Sequence, residues 1–195
     1  VRFETLKQLR LQARPGDWFF SVDLQDGYHA VAIHEDYRKY FTFDLGPQPA
    51  GQPRYIQHSA LNFGWGRSPM VFTKVMRVFV QACRRRGMRV LPLLDDFLWI
   101  CRSQQEALEM RTVVAELLSD LGLKRNLTKG QWEPAQTITH LGLEIDSVRG
   151  LFIVPPAKVE KIQTLAKELL IYSDAHARSV PARRIASLAG LVQSV

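Results

Sequence analysis

The sequence has few cysteines and no long apolar segment. Its 195 residues include two cysteines, Cys83 and Cys101, in apolar surroundings and without the spacing of a metal-ligand motif. This excludes a disulfide scaffold, argues against a zinc site and fits a reducing compartment. No apolar run approaches the roughly 18 residues that a membrane span needs, so we expect no membrane partner.

Internal repeats and low-complexity tracts are also absent. Apolar residues make up 46% of the chain and charged residues 23%, which is enough for a substantial core. The length allows one domain, or one domain and part of another. Because the chain starts at Val1 rather than Met and ends at Val195 inside an apolar pattern, we expect a segment of a longer protein.

Positive charge exceeds negative charge and is clustered. The 26 Lys and Arg against 19 Asp and Glu give a net charge of +7. The clusters comprise Arg84, Arg85, Arg86, Arg183, Arg184, Lys158, Lys161 and Lys167. They indicate either a polyanion partner such as nucleic acid or solvated helix faces and ends, and charge alone leaves both open.

Four helices are predicted from apolar spacing and end signals. The first has Ser68 as N-cap and ends at Gly87. Its apolar stripe is Val71, Val75, Val78, Phe79 and Cys83. The second begins with the capping box Ser103 and Glu106 and ends at Gly122. Its inward residues are Leu108, Val114, Leu117, Leu118 and Leu121. The third follows Pro155 and Pro156, and the fourth covers about residues 180–192.

Strands are predicted between these helices. They cover residues 18–24, 39–45, 54–61, 89–94, 96–101, 137–145 and 151–155. Residues 46–53, rich in Gly and Pro, are a loop that makes the flanking strands a hairpin. Interleaved helices and antiparallel hairpins are typical of an α+β fold, with helices packed on one face of an antiparallel sheet.

The most unusual feature is a pair of adjacent acids, Asp95 and Asp96, between two apolar strands. A hairpin turn is the ordinary explanation, yet neighbouring carboxylates repel and tight turns favour Asn-Gly or Asp-Gly. Asp23 ends another predicted strand, and if the two strands are neighbours the carboxylates lie within a few ångströms. Three acids this close cannot all remain ionised without cations. Mg2+ takes oxygen ligands, and two such ions can support phosphoryl transfer.

A glycine-rich segment precedes the first helix. Gly64 and Gly66 flank Trp65, so the backbone can approach a ligand and the helix N-terminus can face phosphate or base. An ordinary turn with Trp65 in the core is equally compatible with this segment. It is weak as an isolated motif.

Taken in order, these segments resemble the palm of reverse transcriptases, in particular those of long-terminal-repeat and DIRS-like retrotransposons. FFSVDLQDGYHAVAIHEDYRKYFTF resembles the first catalytic motif, LNFGWGRSPMVFTKV the template and nucleotide motif, and LLDDFLW the double-aspartate motif. GLKRNLTKGQWEPAQTITHLGLEI is similar to the lysine motif and the primer-grip hairpin. The resemblance implies a polymerase palm with an antiparallel sheet backed by helices, partial fingers and the start of a thumb or connection.

The resemblance also implies roles for individual residues. The catalytic residues would be Asp23, Asp95, Asp96 and Lys129. The ligands of two Mg2+ ions, for which Mn2+ can substitute, would be Asp23, the Leu24 carbonyl, Asp95 and Asp96. Nucleotide binding would involve Asp26, Gly27, Tyr28, Phe63 and Gly64, with Tyr28 as the gate against a 2′-hydroxyl. The primer grip would be His140, Leu141, Gly142 and Leu143.

The implied activity is RNA-directed DNA polymerisation, with a primed RNA or DNA template and deoxynucleoside triphosphates as partners. The implied domains are a fingers remnant over 1–17, a palm with part of the fingers over 18–145, and the start of the thumb or connection over 146–195. The implied location is intracellular, in cytoplasm or nucleus. The sequence does not predict an oligomeric state.

Departures from the family pattern leave two alternatives open. Leu93 lacks the aromatic side chain common there, Asn62 replaces a usual proline, and the basic fingers segment is expected before Val1. The chain by itself can therefore lack activity. The alternatives are a nucleic-acid-binding relic without catalysis, which the intact acids disfavour, and an RNA-dependent RNA polymerase, which Tyr28 disfavours.

Overall fold

The computed structural model describes residues 6–176 and 179–193, apart from the Leu6 side chain. The chain ends, Val1 and Val195, lie outside the described residues. The helices are α1 (Leu6–Gln12), α2 (Glu35–Arg38), α3 (Ser68–Arg85), α4 (Gln104–Asp120), α5 (Pro156–Ala175) and α6 (Ala182–Gln193). The strands are β1 (Trp18–Asp23), β2 (Thr42–Asp44), β3 (Tyr55–Gln57), β4 (Arg89–Leu93), β5 (Asp96–Cys101), β6 (Thr137–His140), β7 (Leu143–Asp146) and β8 (Leu151–Ile153).

The centre of the fold is an antiparallel sheet in the order β1-β5-β4. Its two faces carry different partners, because side chains alternate along each strand. One face packs against α3 and α4 around Trp99, which is fully buried and stacks on Phe20 with ring centroids 5.0 Å apart. The other face packs against α1 and the β6–β7 hairpin through Leu9, Phe19, Leu91, Leu98, Ile100, Ile138 and Ile145. The predicted α+β fold is confirmed.

Helix α3 buries a different stripe from the predicted one. Its buried residues are Ser68, Phe72, Met76, Phe79, Val80 and Cys83. Phe79 and Cys83 were predicted correctly, whereas Val75 and Val78 are 43% and 61% exposed. The helix carries two overlapping apolar stripes, and the one with the larger phenylalanine and methionine side chains faces the sheet.

The start of α3 also differs from the prediction. Arg67, not Ser68, is the N-cap residue, and Ser68 lies inside the helix. The Ser68 hydroxyl donates to the Asn62 carbonyl at 2.6 Å, which ties the glycine-rich segment back onto the helix.

Helix α4 confirms the predicted capping signal. The Ser103 Oγ accepts from the Glu106 N–H at 3.1 Å, and the Glu106 carboxylate accepts from the Arg102 N–H. Val114 and Leu118 are buried as predicted, but Leu108 and Leu121 are exposed because the helix contacts the sheet along a narrower stripe. Gly122 follows the helix at φ +66°, as expected of a C-terminal glycine.

Strands β2 and β3 form the predicted hairpin around the loop 46–53, but they are shorter than predicted. Each has three residues, all of them exposed, and residues 39–41 form a 3-10 turn instead. An ion pair joins the two strands, because Arg54 Nη2 lies 2.7 Å from an oxygen of Asp44. Because all six strand residues are exposed, the hairpin has no buried face whose packing would stabilise longer strands.

The predicted single strand over residues 137–145 is a hairpin. It is broken between β6 and β7, where Leu141 and Gly142 have φ values of 52° and 75°. Two consecutive positive φ values make a tight two-residue turn of the kind that joins antiparallel strands. Strand β8 adds to β7, and α5 and α6 follow without any buried residue in their described parts. No described helix is both long and apolar enough to cross a membrane.

Candidate active site

The acidic side chains meet at one end of the central sheet. The pairing of β1 with β5 places Asp23 directly opposite Asp96. The Leu24 N–H donates to the Asp95 carbonyl at 2.8 Å, which brings the adjacent turn to the same end. The predicted proximity of Asp23 to the acid pair is confirmed. Alternation along the strands directs Asp23 and Asp96 to the face that carries Phe19 and Ile100.

Asp95 lies in the two-residue turn between β4 and β5, so this acid pair does form part of a hairpin turn. The turn places Leu94 at φ +56°, a conformation that costs a branched residue about 1 kcal/mol or more. The sequence thus has Leu94 at a position whose φ glycine would adopt without strain. Backbone strain and carboxylate repulsion are concentrated at the same turn.

Asp23 is destabilised as an anion. Burial, followed by the charges of Asp95 and Asp96, raises the pKa of the Asp23 carboxyl above its ordinary value, against the opposing effects of Lys129 and the Asn126 side chain. The like-charge contributions show that Asp95 and Asp96 act on Asp23. A cation placed between the acids would offset this like-charge part of the shift.

An irregular segment, residues 124–135, lies along the free edge of β1. The Asn126 N–H donates to the Asp23 carbonyl at 2.7 Å, and the Ser21 N–H donates to the Gln131 carbonyl at 2.7 Å. Gly130 makes this close approach possible, since a Cβ there would lie 3.1 Å from backbone atoms of Asp23 and Ser21. The segment carries Lys129 near enough to Asp23 to act on its pKa.

Sequence reasoning missed Asn126 and Gly130. Their positions on either side of Lys129 were the available signal. Their roles depend on backbone pairing with β1, which is distant in sequence, so local patterns did not reveal them.

An aromatic cluster adjoins Asp95. The rings of Tyr28 and Phe63 have centroids 5.0 Å apart, and Tyr28 meets Phe72 edge to face at 5.3 Å. Burial and the charge of Asp95 raise the pKa of the Tyr28 hydroxyl. Phe63 is 66% exposed and also touches His29, which sequence reasoning did not identify. The cluster therefore presents an open aromatic surface beside the acids.

A left-handed turn joins β1 to this cluster. Asp26 and Gly27 have φ values of 65° and 46°. A Cβ on Gly27 would lie 3.2 Å from Asp95 Oδ2, so the turn packs directly against the acid. Gly64, next to Phe63, has φ +91° and open space around it. Of the five residues predicted to bind nucleotide, Gly27 and Tyr28 thus lie near Asp95. Phe63 contacts Tyr28, while Asp26 and Gly64 are next to members of this group in sequence.

The predicted primer-grip segment is the turn between β6 and β7 and its two flanking residues. His140 and Leu143 face inward, with 4% and 5% exposure, while Leu141 and Gly142 form the turn itself. His140 Nδ1 lies 3.2 Å from Asp96 Oδ2. On the outer side, a Cβ on Gly142 would lie 3.2 Å from Lys158 Nζ at the start of α5, a proximity that the sequence did not indicate.

Comparison with known families decides the identity of this fold. Residues 1–145 match the family described as Reverse transcriptase (RNA-dependent DNA polymerase). The chain belongs to the reverse transcriptase family. The resemblance to reverse transcriptases drawn from the sequence motifs is thereby confirmed.

Viral polyproteins are among the relatives of this reverse transcriptase chain. It is 26% identical over 159 residues to the Gag-Pro-Pol polyprotein of bovine leukemia virus (isolate Australian), covering 76% of the chain and 11% of the relative. It is 25% identical over 153 residues to the Enzymatic polyprotein of soybean chlorotic mottle virus, covering 78% and 21%. The chain spans about a tenth and a fifth of these two relatives.

Solved structures share the reverse transcriptase fold. The foamy viral protease-reverse transcriptase in complex with dsDNA matches with a TM-score of 0.74 at 20% identity, covering 99% of this chain and 35% of the other. The same viral protein in complex with an RNA/DNA hybrid matches with a TM-score of 0.71 at 21% identity, covering 98% and 23%. At this identity the likeness concerns the fold.

The donor set of the reverse transcriptase site suits a hard cation. No group of three or more His, Cys, Asp or Glu side chains in the described part of the chain is arranged to hold a metal ion. Mg2+ does not require such a group, because it commonly uses one or two carboxylates and completes its shell with water and substrate phosphates. The charges of Asp95 and Asp96 contribute to the raised pKa of Asp23, so a cation that arrives with substrate would reduce their repulsion, and the residues fit such a metal.

Proposed function

We propose that the chain is the catalytic palm of an RNA-directed DNA polymerase, which adds deoxynucleotides to a primer 3′-hydroxyl on an RNA or DNA template. The observation that carries this proposal is the meeting of Asp23 with Asp95 and Asp96 across the β1–β5 pair. Family membership supports the reaction class. The polymerases of the structural relatives were solved with dsDNA and with an RNA/DNA hybrid, which supports a nucleic-acid partner.

The proposed metal ligands are the carboxylates of Asp23, Asp95 and Asp96 and the carbonyl of Leu24. Two Mg2+ ions, or Mn2+ in their place, would supply charge neutralisation for the attacking and leaving oxygens. The protein's own part is to hold the carboxylates at one end of a rigid sheet, so that little reorganisation is needed at reaction. The hydrogen bond from the Leu24 N–H to the Asp95 carbonyl supports this, because it ties the turn that carries Asp95 to the end of β1.

The proposed nucleotide site is the surface between the acids and the aromatic cluster. Tyr28 would pack under the sugar and exclude a 2′-hydroxyl, since a buried hydroxyl without a hydrogen-bond partner is costly. Phe63 and Gly64 would contact the incoming nucleotide and the templating base, which the exposure of Phe63 supports. Backbone amides of the Asp26–Gly27 turn would face the triphosphate, as left-handed turns bind anions in other proteins.

Lys129 is the proposed partner of the leaving pyrophosphate. Its charge already reaches Asp23, so it lies on the metal side of the site. It would either donate a proton to the leaving group or pair with it. The clamp of the segment 124–135 onto β1 would hold Lys129 there without a helix or strand.

The proposed domain division follows the same assignment. Residues 1–17 would lead in from the fingers, 18–145 would form the palm with part of the fingers, and 146–195 would begin the thumb or connection. The absence of buried residues in the described parts of α5 and α6 supports a separate unit there. We place the protein inside the cell, in cytoplasm or nucleus, which the free thiols of Cys83 and Cys101 support.

The decisive experiment is primer extension by a polymerase that carries this chain, with and without Asp95→Asn. The substitution should abolish extension and leave binding of the primer–template nearly intact. Extension above about a tenth of normal would overturn the proposal, because loss of a metal ligand should cost far more than the 1.4 kcal/mol of a tenfold rate change.

Two further measurements address the alternatives. A non-catalytic relic would show no Mn2+ binding in calorimetry, with or without primer–template. If the polymerase makes RNA, the parent and the Tyr28→Ala variant would incorporate ribonucleotides equally readily.

A further inference from the structure

We propose that His140 is a positioning residue for Asp96, whose carboxylate it holds through Nδ1, and that it thereby couples the β6–β7 hairpin to the acidic end of the sheet. The inference rests on the proposed function and deepens it. It assigns to the inward-facing histidine a role distinct from contact with a primer.

Strand alternation explains why His140 reaches Asp96. In β6, Ile138 and His140 are buried whereas Thr137 and Thr139 are exposed, so the first pair shares the inner face of the hairpin. Ile138 packs in the cluster that covers the β1-β5-β4 sheet, together with Leu98 of β5. Asp96 lies two residues before Leu98 and therefore on the same face of β5. The packing of Ile138 beside Leu98 is continued by His140 beside Asp96.

The contact is within ion-pair distance and lies in a nearly dry place. Nδ1 and Oδ2 are 3.2 Å apart, and the His140 side chain is 3% exposed. A ring that carries hydrogen on Nδ1 is a donor to a carboxylate. The Asp96 side chain is 35% exposed, so one side is left open toward the site.

Asp96 has particular need of such a partner. It stands opposite Asp23 and next to Asp95, and both neighbours are acids. His140 lies within ion-pair distance of it. A donor that engages one oxygen fixes the rotation of the carboxylate and leaves the second oxygen for a metal. Partners of this kind change metal affinity by about 10- to 100-fold when removed.

The orientation of the hairpin separates this role from a primer contact. His140 and Leu143 oppose each other at the end of β6 and β7, and both are buried. The turn residues Leu141 and Gly142 lie beyond them and are more exposed. A primer held by the turn would thus press on the strand that carries His140, so primer placement and the Asp96 carboxylate would be mechanically linked.

Two substitutions separate the effect of the hydrogen-bond donor at Nδ1 from the effect of the ring shape. His140→Phe keeps an aromatic ring without a donor, and His140→Asn keeps an N–H near the place of Nδ1. The readouts are Mn2+ affinity measured by calorimetry in the presence of primer–template, and the Mg2+ concentration at half-maximal extension. His140→Phe should weaken Mn2+ binding by about tenfold or more and raise the Mg2+ midpoint equally, while His140→Asn stays close to the parent.

Affinity for the primer–template should change little in either variant. Mn2+ binding by His140→Phe equal to that of the parent would overturn the inference, as would equal losses in the Phe and Asn variants. A loss of primer–template affinity with unchanged Mn2+ binding would assign His140 to the primer instead.

A double-substitution cycle guards against a purely structural effect. In the background of Asp96→Asn, His140→Phe should add little further loss of Mn2+ affinity, because residues that act through one contact are not additive. Additive losses would contradict the proposal. If His140→Phe does not fold, His140→Gln replaces it, since the Gln amide lies near the place of Nε2 rather than Nδ1. A parent that binds Mn2+ but does not extend primers would refute the proposed function while the test of His140 stands.

Discussion

Gly27 packs against Asp95 so closely that a single methyl group on its α-carbon would stand 3.2 Å from Oδ2. The glycine also has φ +46°, a conformation that other residues adopt at a cost. The turn after β1 and the turn after β4 are thus fitted to each other at the acidic end of the sheet. This fit is a direct target for mutation.

Gly27→Ala should reduce primer extension at least about tenfold, because either Asp95 or the turn must move, and small misplacements at an active site cost large rate factors. The matched control is Gly150→Ala. Gly150 has φ +66° but nothing within 4 Å of its Cβ position, so it shares the backbone strain without the contact. Equal activity losses in both variants would refute the importance of the Asp95 contact.

Tyr28→Ala should relax discrimination between sugars. Removing the ring opens space beside Phe63 and Phe72, so ribonucleotides should be incorporated at least about tenfold more readily relative to deoxynucleotides, equivalent to 1.4 kcal/mol of lost discrimination. Competition between the two nucleotide types in single-step extension measures this ratio. Tyr37→Ala, at a tyrosine that is 60% exposed, is the control and should leave the ratio unchanged.

Asp23→Asn should stabilise the protein at neutral pH in the absence of divalent metal. The pKa of Asp23 is raised in the folded state, chiefly by burial and next by Asp95, so folding favours its protonated form. The free energy of unfolding therefore falls as pH rises from the ordinary value of 3.8 through the raised pKa. Because the Asn side chain does not ionise, the substitution removes this loss of stability. Thermal unfolding should show a higher Tm for the variant at neutral pH, and the difference should vanish below the ordinary pKa.

Asp44→Asn is the comparison variant, because the pKa of Asp44 is shifted in the opposite direction to that of Asp23. The hydrogen bonds from Arg54 hold the pKa of the Asp44 carboxyl below its ordinary value, so its contribution is present above that value and is lost as pH falls through the lowered pKa. This variant should not gain stability at neutral pH. A gain as large as that of Asp23→Asn would mean that the acidic end of the sheet is not the source of the effect.

The two cysteines should be inert in the folded protein. Burial raises the pKa of Cys83 to about 11 and that of Cys101 to about 12, so the reactive thiolate is scarce at neutral pH. A coloured thiol reagent should react slowly with the native chain. After unfolding, it should react rapidly with both thiols. Rapid reaction of one thiol in the native state would show that the packing around Trp99 opens readily.

The sequence predicted those parts of the fold that local signals control. The capping box at Ser103, the loop 46–53 and the apolar strands of the sheet each depend on neighbours in sequence. The pairing of Asp23 with the acid pair also followed, because both end apolar strands and the motif order matched a known family. These signals suffice for the architecture and for the meeting of the three acids.

The remaining features depend on contacts between distant segments. Helix α3 has two apolar stripes, and only the shape of the sheet selects Phe72 and Met76 over Val75 and Val78. Likewise Gly130 matters because of where β1 lies, and His140 because of Asp96. Amino-acid pattern shows which residues can be buried or can bind, while tertiary packing decides which of them do.

The clamp of residues 124–135 on β1 has a further consequence for solution behaviour. An uncovered strand edge invites pairing with another chain and hence aggregation. Here backbone contacts from Ser21 to Gln131 and from Phe19 to Ala135 occupy the outer edge of β1. At the opposite edge, β4 carries Pro92, which has no N–H to offer a new strand. The sheet that holds the proposed catalytic acids is thus protected against intermolecular strand addition on both sides.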